Sequence, residues 1–362
     1  MVGARLSWRR SLSATAAVKQ PACRGREIQL VVTKTAQWYK VGMKLHDFIL
    51  KKNIRARMSD FRPDEPRIIG SPMRVKPRSL RYALVGSAFD YLFRFEIARR
   101  VPVIESRWIA DHVAYGDSSR FFSPITNEIR EFCQSRPDFN IDDFRDDKEH
   151  SRSVKKNGLT LCNVVTDPFE IYFLRAARKV VDEAHSDIAA YREMRRPSVG
   201  EQKQAAFHAV RLAKVDLIFR VALMDPTFED ADRDDIAELV ELLTIVPWEQ
   251  LPGSDPPILN PALGGQALGI GADADLISGD CLTEVKTTKN TSMSAEYLDQ
   301  LLGYLILSRY RRQTNGTFPN VGRLGLYFAR HGYFWVRDAR VWTDRPGFAE
   351  FEHWFLSQMP GM

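Results

Sequence analysis

The chain has 362 residues, of which 44% are hydrophobic, and a formal net charge of +6. This composition supports a packed core and excludes a wholly disordered chain. It contains no apolar run of about 18 residues, so we expect no membrane span and no membrane partner. The modest positive charge permits a polyanionic partner such as nucleic acid but does not require one.

The four cysteines are widely separated and form no C-x-x-C pair. That spacing argues against a zinc ribbon and against a disulfide framework. We expect free thiols in a reducing compartment, and we favour a cytoplasmic, bacterial-type location.

The N-terminal segment 1–27 is basic and contains no acidic residue before Glu27. We interpret it as a disordered arm or a targeting segment. An organelle transit peptide has the same composition, as does sequence upstream of a later start codon. From residue 28 to 362 we predict one domain, which begins with a strand at 28–32 and an amphipathic segment at 38–51.

A strong amphipathic helix is predicted over 79–100. Its apolar residues recur at helical spacing and form one stripe: Leu80, Leu84, Ala88, Tyr91, Leu92 and Phe95. On the same helix Asp90 is followed four residues later by Arg94, a spacing at which opposite charges pair on a helix surface.

Residues 101–250 are predicted to form a large helical insertion, with helices at 168–193, 201–223 and 231–245. The second of these helices carries four basic residues: Lys203, Arg211, Lys214 and Arg220. They either follow the phosphates of a bound nucleic acid or form an ordinary solvated surface.

A hairpin is predicted from two strand-like runs and the turn residues between them: 273–277, 278–280 and 281–286. Side chains alternate along a strand, so Asp273 and Asp275 share one face of the first run, and Glu284 and Lys286 share one face of the second. Carboxylates and an amine that converge in this way suit a divalent cation and an activated water. The alternative is a hairpin whose charged face meets solvent.

A helix follows the hairpin and is capped at Ser294. Gln300 and Tyr304 are spaced i and i+4 on it, so they share a face. That face can therefore present an amide and a phenol to the charged side of the hairpin.

A basic run lies at the end of this helix: Arg309, Arg311 and Arg312. The run suits both the C-terminus of a helix and a phosphate backbone. Beyond it the pattern predicts strands at 324–329 and 333–337, turned at His331 and Gly332, and a closing amphipathic helix at 348–359.

Three of these segments together resemble the motifs of the PD-(D/E)XK nuclease superfamily, specifically its RecB-like branch: Asp275, Glu284-Val285-Lys286 and Gln300-Leu301-Leu302-Gly303-Tyr304. The resemblance implies an α/β, restriction-endonuclease-like fold, in which a small mixed sheet is flanked by helices. The catalytic core would span about 262–340, and the helical insertion about 101–250.

The resemblance also implies a Mg²⁺ or Mn²⁺ cofactor. Asp275, Glu284 and the Val285 backbone carbonyl would hold the metal, with Asp273 as the alternative to Asp275. Lys286 would position the attacking water and offset charge that builds on the phosphorus.

The segment Gly86-Ser87-Ala88-Phe89-Asp90 is similar to the G-x-x-x-H helix of RecB-like nucleases. Asp90 stands where the family has a metal-binding histidine, a departure that an oxygen-rich Mg²⁺ site allows. Asp90 is therefore either a further metal ligand or an acid paired with Arg94, and Glu96 is a lesser candidate. No cysteine follows Cys281, so we expect no iron–sulfur cluster.

The activity implied by the resemblance is that of a nuclease, with DNA favoured over RNA and with Gln300 and Tyr304 orienting the site. Arg309, Arg311, Arg312 and Lys289 would contact the nucleic acid. The protein would act in defence or repair, together with a partner such as a helicase. The alternative is an inactive module of the same fold that binds nucleic acid without cutting it.

Overall fold

The computed structural model describes residues 43–65, 71–115, 122–145, 147, 149–156, 159–251, 255–290 and 292–362. The predicted arm at 1–27 and the predicted strand at 28–32 lie outside these residues.

The strands are β1 (Met43–Lys44), β2 (Ile104–Glu105), β3 (Glu149–Lys156), β4 (Leu159–Val165), β5 (Ile258–Leu259), β6 (Ile270–Gly271), β7 (Leu276–Ser278), β8 (Cys281–Lys286), β9 (Arg323–Phe328) and β10 (Tyr333–Asp338). Within the described residues they form a six-stranded sheet in the order β10-β9-β8-β7-β5-β2, a β1–β6 pair and a β3–β4 hairpin. The six-stranded sheet is mixed, because β8 pairs in parallel with β9 and antiparallel with β7. The prediction of an α/β fold built on a mixed sheet is confirmed.

The helices are α1 (Leu45–Ile49), α2 (Lys52–Met58), α3 (Tyr82–Arg100), α4 (Ile109–Tyr115), α5 (Thr126–Gln134), α6 (Pro168–Glu193), α7 (Val199–Val221), α8 (Arg233–Thr244), α9 (Ala295–Thr314), α10 (Arg340–Thr343) and α11 (Phe348–Ser357). The predicted helices at 168–193, 201–223, 231–245 and 348–359 correspond to α6, α7, α8 and α11. None of the helices in the described part of the chain is long and apolar enough to cross a membrane.

Two hydrophobic cores cover the two faces of the sheet. On one face Leu276 and Tyr327 pack with α3, α6, α7 and α8. On the other face Ile277, Leu282 and Phe328 pack with α1, α9 and α11. Leu276 and Ile277 are adjacent in sequence but belong to opposite cores, as the alternation of strand side chains requires.

The 101–250 segment is not purely helical, because it also contains the β3–β4 hairpin and contributes β2 to the central sheet. β2 runs parallel to β5, with Ile104 opposite Ile258 and Glu105 opposite Leu259. The sheet therefore draws an edge strand from a region that the sequence pattern assigns to an insertion.

The predicted hairpin forms, but its first strand is shorter than expected. β7 begins at Leu276, and Gly279, with φ of 58°, occupies the turn that pairs Ser278 with Cys281. Residues before Leu276 bond to the preceding loop instead: the Asn260 N–H donates to the Asp275 carbonyl and the Ala274 N–H donates to the Pro261 carbonyl. Asp275 consequently lies immediately before β7 rather than within it.

The α3 helix also starts later than the 79–100 prediction. Arg81 precedes it with ψ of 51°, outside the helical region, and the Arg81 N–H donates to the Ser79 hydroxyl at 3.2 Å. Leu80 is thereby excluded from the apolar stripe and is 86% exposed, so its prediction as a core residue is wrong. Local side-chain bonding to Ser79 competes here with helix propagation.

Candidate active site

The β8 strand presents Glu284 and Lys286 to α9. Leu282, two residues earlier on the same face, is fully buried among α9 side chains, and this fixes the direction of the two charged residues that follow. Val285 points the other way and packs against the α3 side. The alternation that the sequence predicts is therefore present in the structure.

Lys286 lies at the centre of a hydrogen-bonded network. Its Nζ donates to Glu284 Oε1 at 2.9 Å and to Gln300 Oε1 at 2.8 Å. Gln300 Nε2 donates to the same Glu284 oxygen at 3.0 Å and to Tyr304 Oη at 2.7 Å. Tyr304 in turn donates to the Asp273 carbonyl oxygen at 2.7 Å, which fastens α9 to the segment before β7.

Asp275 faces Glu284 across the hairpin. Its Oδ2 accepts the Val285 N–H at 2.6 Å, so the carboxylate is held against the β8 backbone. Burial raises the pKa of Asp275 well above its ordinary value, and the charges of Glu284 and Asp90 raise it further. Three carboxylates from three separate elements thus act on one another at this point.

Asp90 reaches the site from α3 and also pairs with Arg94 through Oδ2, at 2.8 Å from Arg94 Nη2. The pairing of Asp90 with Arg94 is therefore confirmed, and its role as a metal ligand stays a prediction. Its other oxygen, Oδ1, is buried and has no hydrogen-bond partner, and the same is true of Glu284 Oε2. Buried carboxylate oxygens without partners are costly, and a bound cation or an ordered water would satisfy them.

Asp273 has different electrostatic surroundings from Asp275. Burial raises its pKa to about 6, while Arg220 and Arg94 oppose that rise and Glu284 adds to it. The charges of two arginines therefore favour the ionised form of Asp273, whereas the charges of two carboxylates disfavour the ionised form of Asp275. This difference favours Asp275 over Asp273 as the cation ligand.

Arg94 and Arg220 form a basic end of the site. The sequence suggests Arg220 as one of four possible phosphate contacts and Arg94 as the partner of Asp90, but it does not bring the two arginines together. Arg94 is buried and its Nη1 has no partner, while Arg220 pairs with Asp216 at 3.3 Å and keeps a side chain that is 40% exposed. The pairs Asp90–Arg94 and Asp216–Arg220 are visible as i, i+4 spacings. Nothing in those spacings shows that the end of α7 packs beside α3.

The other basic residues of α7 have structural roles or lie elsewhere. Lys214 is buried and donates to Thr227 and to the Asp230 carbonyl, so it organises the loop before α8. Arg211 pairs with Glu183 on α6 at 2.8 Å. Only Arg220 of the basic set on this helix lies within electrostatic reach of the site acids.

The arginine run is not brought to the site. Arg309 lies nine residues beyond Gln300, or about 14 Å along the helix axis. It pairs with Glu352 of α11 at 2.6 Å. Because α9 leads back to the start of β9, which pairs with the start of β8, the run lies near the opposite end of β8 from Lys286. A nucleic-acid contact there would be remote from the carboxylates.

Lys289, by contrast, lies at the site's rim, on the loop that leaves β8. It is exposed, and its Nζ lies 5.0 Å from the centre of the Tyr82 ring at the start of α3. Glu96, the lesser candidate on α3, is fully occupied elsewhere: it accepts hydrogen bonds from Arg99, Arg100 and Tyr191.

The donor set fits a hard divalent cation, because the free oxygens belong to carboxylates and the local charge is negative. Glu284 Oε2 and Asp90 Oδ1 are oxygens without a hydrogen-bond partner, and the ionised form of Asp275 is destabilised by burial and by neighbouring acids. Among the described residues no group of three or more His, Cys, Asp and Glu side chains is arranged to hold a metal ion. The acids provide the charge for a cation, and the Val285 carbonyl would have to complete its coordination.

Comparison with protein-family models found no match, and neither curated proteins nor solved structures gave one. The site is therefore interpreted from its own geometry.

Proposed function

We propose that the chain is a metal-dependent nuclease that hydrolyses phosphodiester bonds. The observation that carries the proposal is the excess of carboxylates gathered beside Lys286, with oxygens of Glu284 and Asp90 that no protein group satisfies. Clusters with unmet charge and perturbed pKa values are typical of sites that bind a cation or perform chemistry.

Asp275 and Glu284 would hold Mg²⁺ or Mn²⁺ with the Val285 backbone carbonyl, and Asp90 would assist from α3. A divalent cation in such a site supplies a nucleophilic water at neutral pH and polarises the phosphate. The Val285 N–H that donates to Asp275 keeps this backbone segment and the carboxylate in a fixed relation. In the proposed site this hydrogen bond would hold the Asp275 carboxylate and the Val285 backbone in place for the metal.

Lys286 would position the attacking water and offset charge on the phosphate. Burial lowers the pKa of Lys286, but the charge and hydrogen bond of Glu284, together with the charge of Asp275, raise it overall. The amine is therefore held as a cation, which suits electrostatic stabilisation of the transition state rather than proton abstraction. Its two hydrogen bonds, to Glu284 and Gln300, fix where that charge lies.

Gln300 and Tyr304 would act as positioning residues. Burial raises the pKa of Tyr304 well above its ordinary value, and nearby carboxylates raise it further, so the phenol stays protonated and keeps its bond to the Asp273 carbonyl. Gln300 links this phenol to Lys286. A change at either residue would loosen Lys286 without removing a charge.

The substrate we favour is DNA rather than RNA, in a defence or repair setting with a partner such as a helicase. A mixed sheet covered by helices on both faces supports the restriction-endonuclease-like core that the motif resemblance implies. Arg220 and Lys289, at opposite ends of the carboxylate cluster, supply positive charge for a nucleic-acid backbone.

The proposal is tested by a cleavage assay on linear and circular DNA and on RNA, each single- and double-stranded, with Mg²⁺, Mn²⁺ or EDTA. We expect cleavage with either metal and none in EDTA. Lys286→Ala should lower the cleavage rate by about 10²–10³-fold while leaving nucleic-acid affinity nearly intact, because the charge acts mainly in the transition state.

The matched control is Lys203→Ala, which removes an exposed lysine near the start of α7, roughly 25 Å along that helix from Arg220. It should cleave like the parent. If Lys286→Ala also cleaves like the parent, the cluster is only a charged strand face. If the parent binds DNA but never cuts it, the chain is a binding module.

A further inference from the structure

We propose that Tyr82 and Lys289 form a subsite for one unpaired nucleotide of the substrate strand, at one end of the carboxylate cluster. The base would stack on the Tyr82 ring, and its phosphate would bind the Lys289 ammonium. The inference rests on the proposed nuclease function and adds to it a preference for single strands or frayed ends.

The placement of the subsite follows from a stripe on α3. Tyr82, Gly86, Asp90 and Arg94 are spaced four residues apart, so they follow one face of the helix at intervals of about 6 Å. The last two of the four act on the site acids: Asp90 on Asp275 and Arg94 on Asp273.

The N-terminal part of this stripe lies beside the loop that leaves β8. A Cβ on Gly86 would meet the Thr287 Cβ at 3.9 Å, an ordinary contact, so α3 and the exit of β8 lie side by side here. One turn further, Lys289 lies over Tyr82. Tyr82 thus lies about 12 Å along α3 from Asp90, beside the loop that leaves β8.

The exposure of the side chains suits a stacking site. Tyr82 is 38% exposed and Leu80, which precedes the helix, is 86% exposed, so two large apolar groups meet solvent at the rim. Lys289 is exposed as well, and an exposed cation–π contact is weak enough for the ammonium to move to a phosphate. A ring and a lysine side by side are the two elements with which proteins hold single-stranded nucleic acid.

The pairing state of the nucleotide follows from the geometry of stacking. Within a duplex both faces of a base are covered by neighbouring bases, so a protein ring can stack only on an unpaired or terminal base. The Tyr82 ring can therefore stack on a base of a single strand, a frayed end or a loop, but not on a base inside a duplex.

The test is binding measured in EDTA, where cleavage does not interfere, by the anisotropy of a labelled single strand and of a closed hairpin duplex. Tyr82→Ala should weaken single-strand binding by about 5- to 100-fold and change duplex binding little. Tyr82→Phe, the matched control, should bind like the parent because it keeps the ring. A fluorescent base analogue in the strand should be quenched by the parent and by Tyr82→Phe, but not by Tyr82→Ala.

Lys289→Ala should reduce the dependence of single-strand affinity on salt by about 0.7 of a unit of log–log slope, and Lys203→Ala should not. If Tyr82→Ala binds single strands like the parent, the subsite is absent, whether or not the parent is a nuclease. If binding depends on Tyr82 but the parent cuts nothing, the nuclease proposal fails alone. A parent that binds no nucleic acid overturns both.

Discussion

Two acidic residues on α3, Asp90 and Glu96, lie less than two turns apart and have opposite environments. Glu96 is buried and accepts hydrogen bonds from Arg99, Arg100 and Tyr191. Asp90 has one arginine and keeps an oxygen that is buried without a partner. Glu96 is surrounded by cations and donors, while Asp90 contributes to an excess of carboxylates.

The difference separates a charge that supports the fold from a charge that the proposed cation would balance. Burial alone would raise the pKa of Glu96, but the hydrogen bonds from Arg99 and Tyr191 lower it below its ordinary value. The pKa of Asp275, beside Asp90, is raised by burial and by the neighbouring acids. Folding therefore favours the ionised form of Glu96 and disfavours that of Asp275, although the Val285 N–H and the charge of Lys286 partly offset the effect at Asp275.

The largest effect we expect from the comparison is on stability at Glu96. Glu96→Gln keeps the shape of the side chain but leaves Arg99, which is 8% exposed, without its counter-charge. The free energy of unfolding should fall by about 3 kcal/mol. Denaturant unfolding monitored by circular dichroism measures it, and Glu241→Gln is the control.

Glu241 pairs with Arg78 at 2.9 Å, but both side chains are more than 40% exposed. Its loss should cost less than about 1 kcal/mol. Equal losses at Glu96 and Glu241 would show that the buried network on α3 is no more important to the fold than an exposed ion pair.

The next effect is stabilisation by a divalent cation. Mg²⁺ or Mn²⁺ at about a hundred times its dissociation constant should raise the free energy of unfolding by about 2.7 kcal/mol, because only the folded chain gathers the ligands. Glu284→Gln should abolish this gain and Glu96→Gln should retain it. Thermal unfolding with and without EDTA would decide the point, and a parent that melts identically in both contradicts the cation site.

A smaller effect should appear without metal. Asp275→Asn removes a carboxylate that its neighbours destabilise, so in EDTA the variant should be more stable than the parent by about 1 kcal/mol or more. Asp273→Asn should gain less, because Arg220 and Arg94 already offset that charge. Cation binding, measured by titration calorimetry with Mn²⁺, should be lost in Asp275→Asn and kept in Asp273→Asn; the reverse pattern would make Asp273 the ligand.

The smallest effect is on how the free energy of unfolding depends on pH. The pKa of Glu96 in the folded chain lies below its ordinary value of 4.5. The stability that its charge contributes is therefore present above that value and is lost as the pH falls through the folded pKa. The difference in stability between the parent and Glu96→Gln should shrink on acidification from pH 6 to below about 4; a constant difference would mean that the effect of Gln is steric.

Much of the site follows from local periodicity. Strand alternation brings Glu284 and Lys286 to one face, and helical spacing brings Gln300 and Tyr304 to another, so the sequence predicts all four together. Asp275 also lies beside Glu284, as the hairpin predicts. It precedes β7 instead of lying within a strand, but its carboxylate still accepts a hydrogen bond from the β8 backbone.

What the sequence did not predict depends on contacts between distant elements. Arg220 joins the site because the end of α7 packs beside α3, where Asp216 accepts a hydrogen bond from Tyr91 at 2.8 Å. The edge strand β2 was missed because Ile104 and Glu105 carry no recognisable period on their own. The exposure of Leu80 depends on a local hydrogen bond at Ser79 that apolar spacing does not reveal.

One buried ion pair has a consequence for any attempt to shorten the protein. Arg330, on the connection between β9 and β10, and Glu238 on α8 are both fully buried and paired with each other. The Arg330 Nε also donates to the Thr287 carbonyl, the residue after Lys286. Removing the 101–250 segment would take Glu238 away from Arg330 and open this buried contact behind Lys286, so the segment and the central sheet stabilise each other. We therefore expect the segment and the sheet to unfold in one cooperative transition.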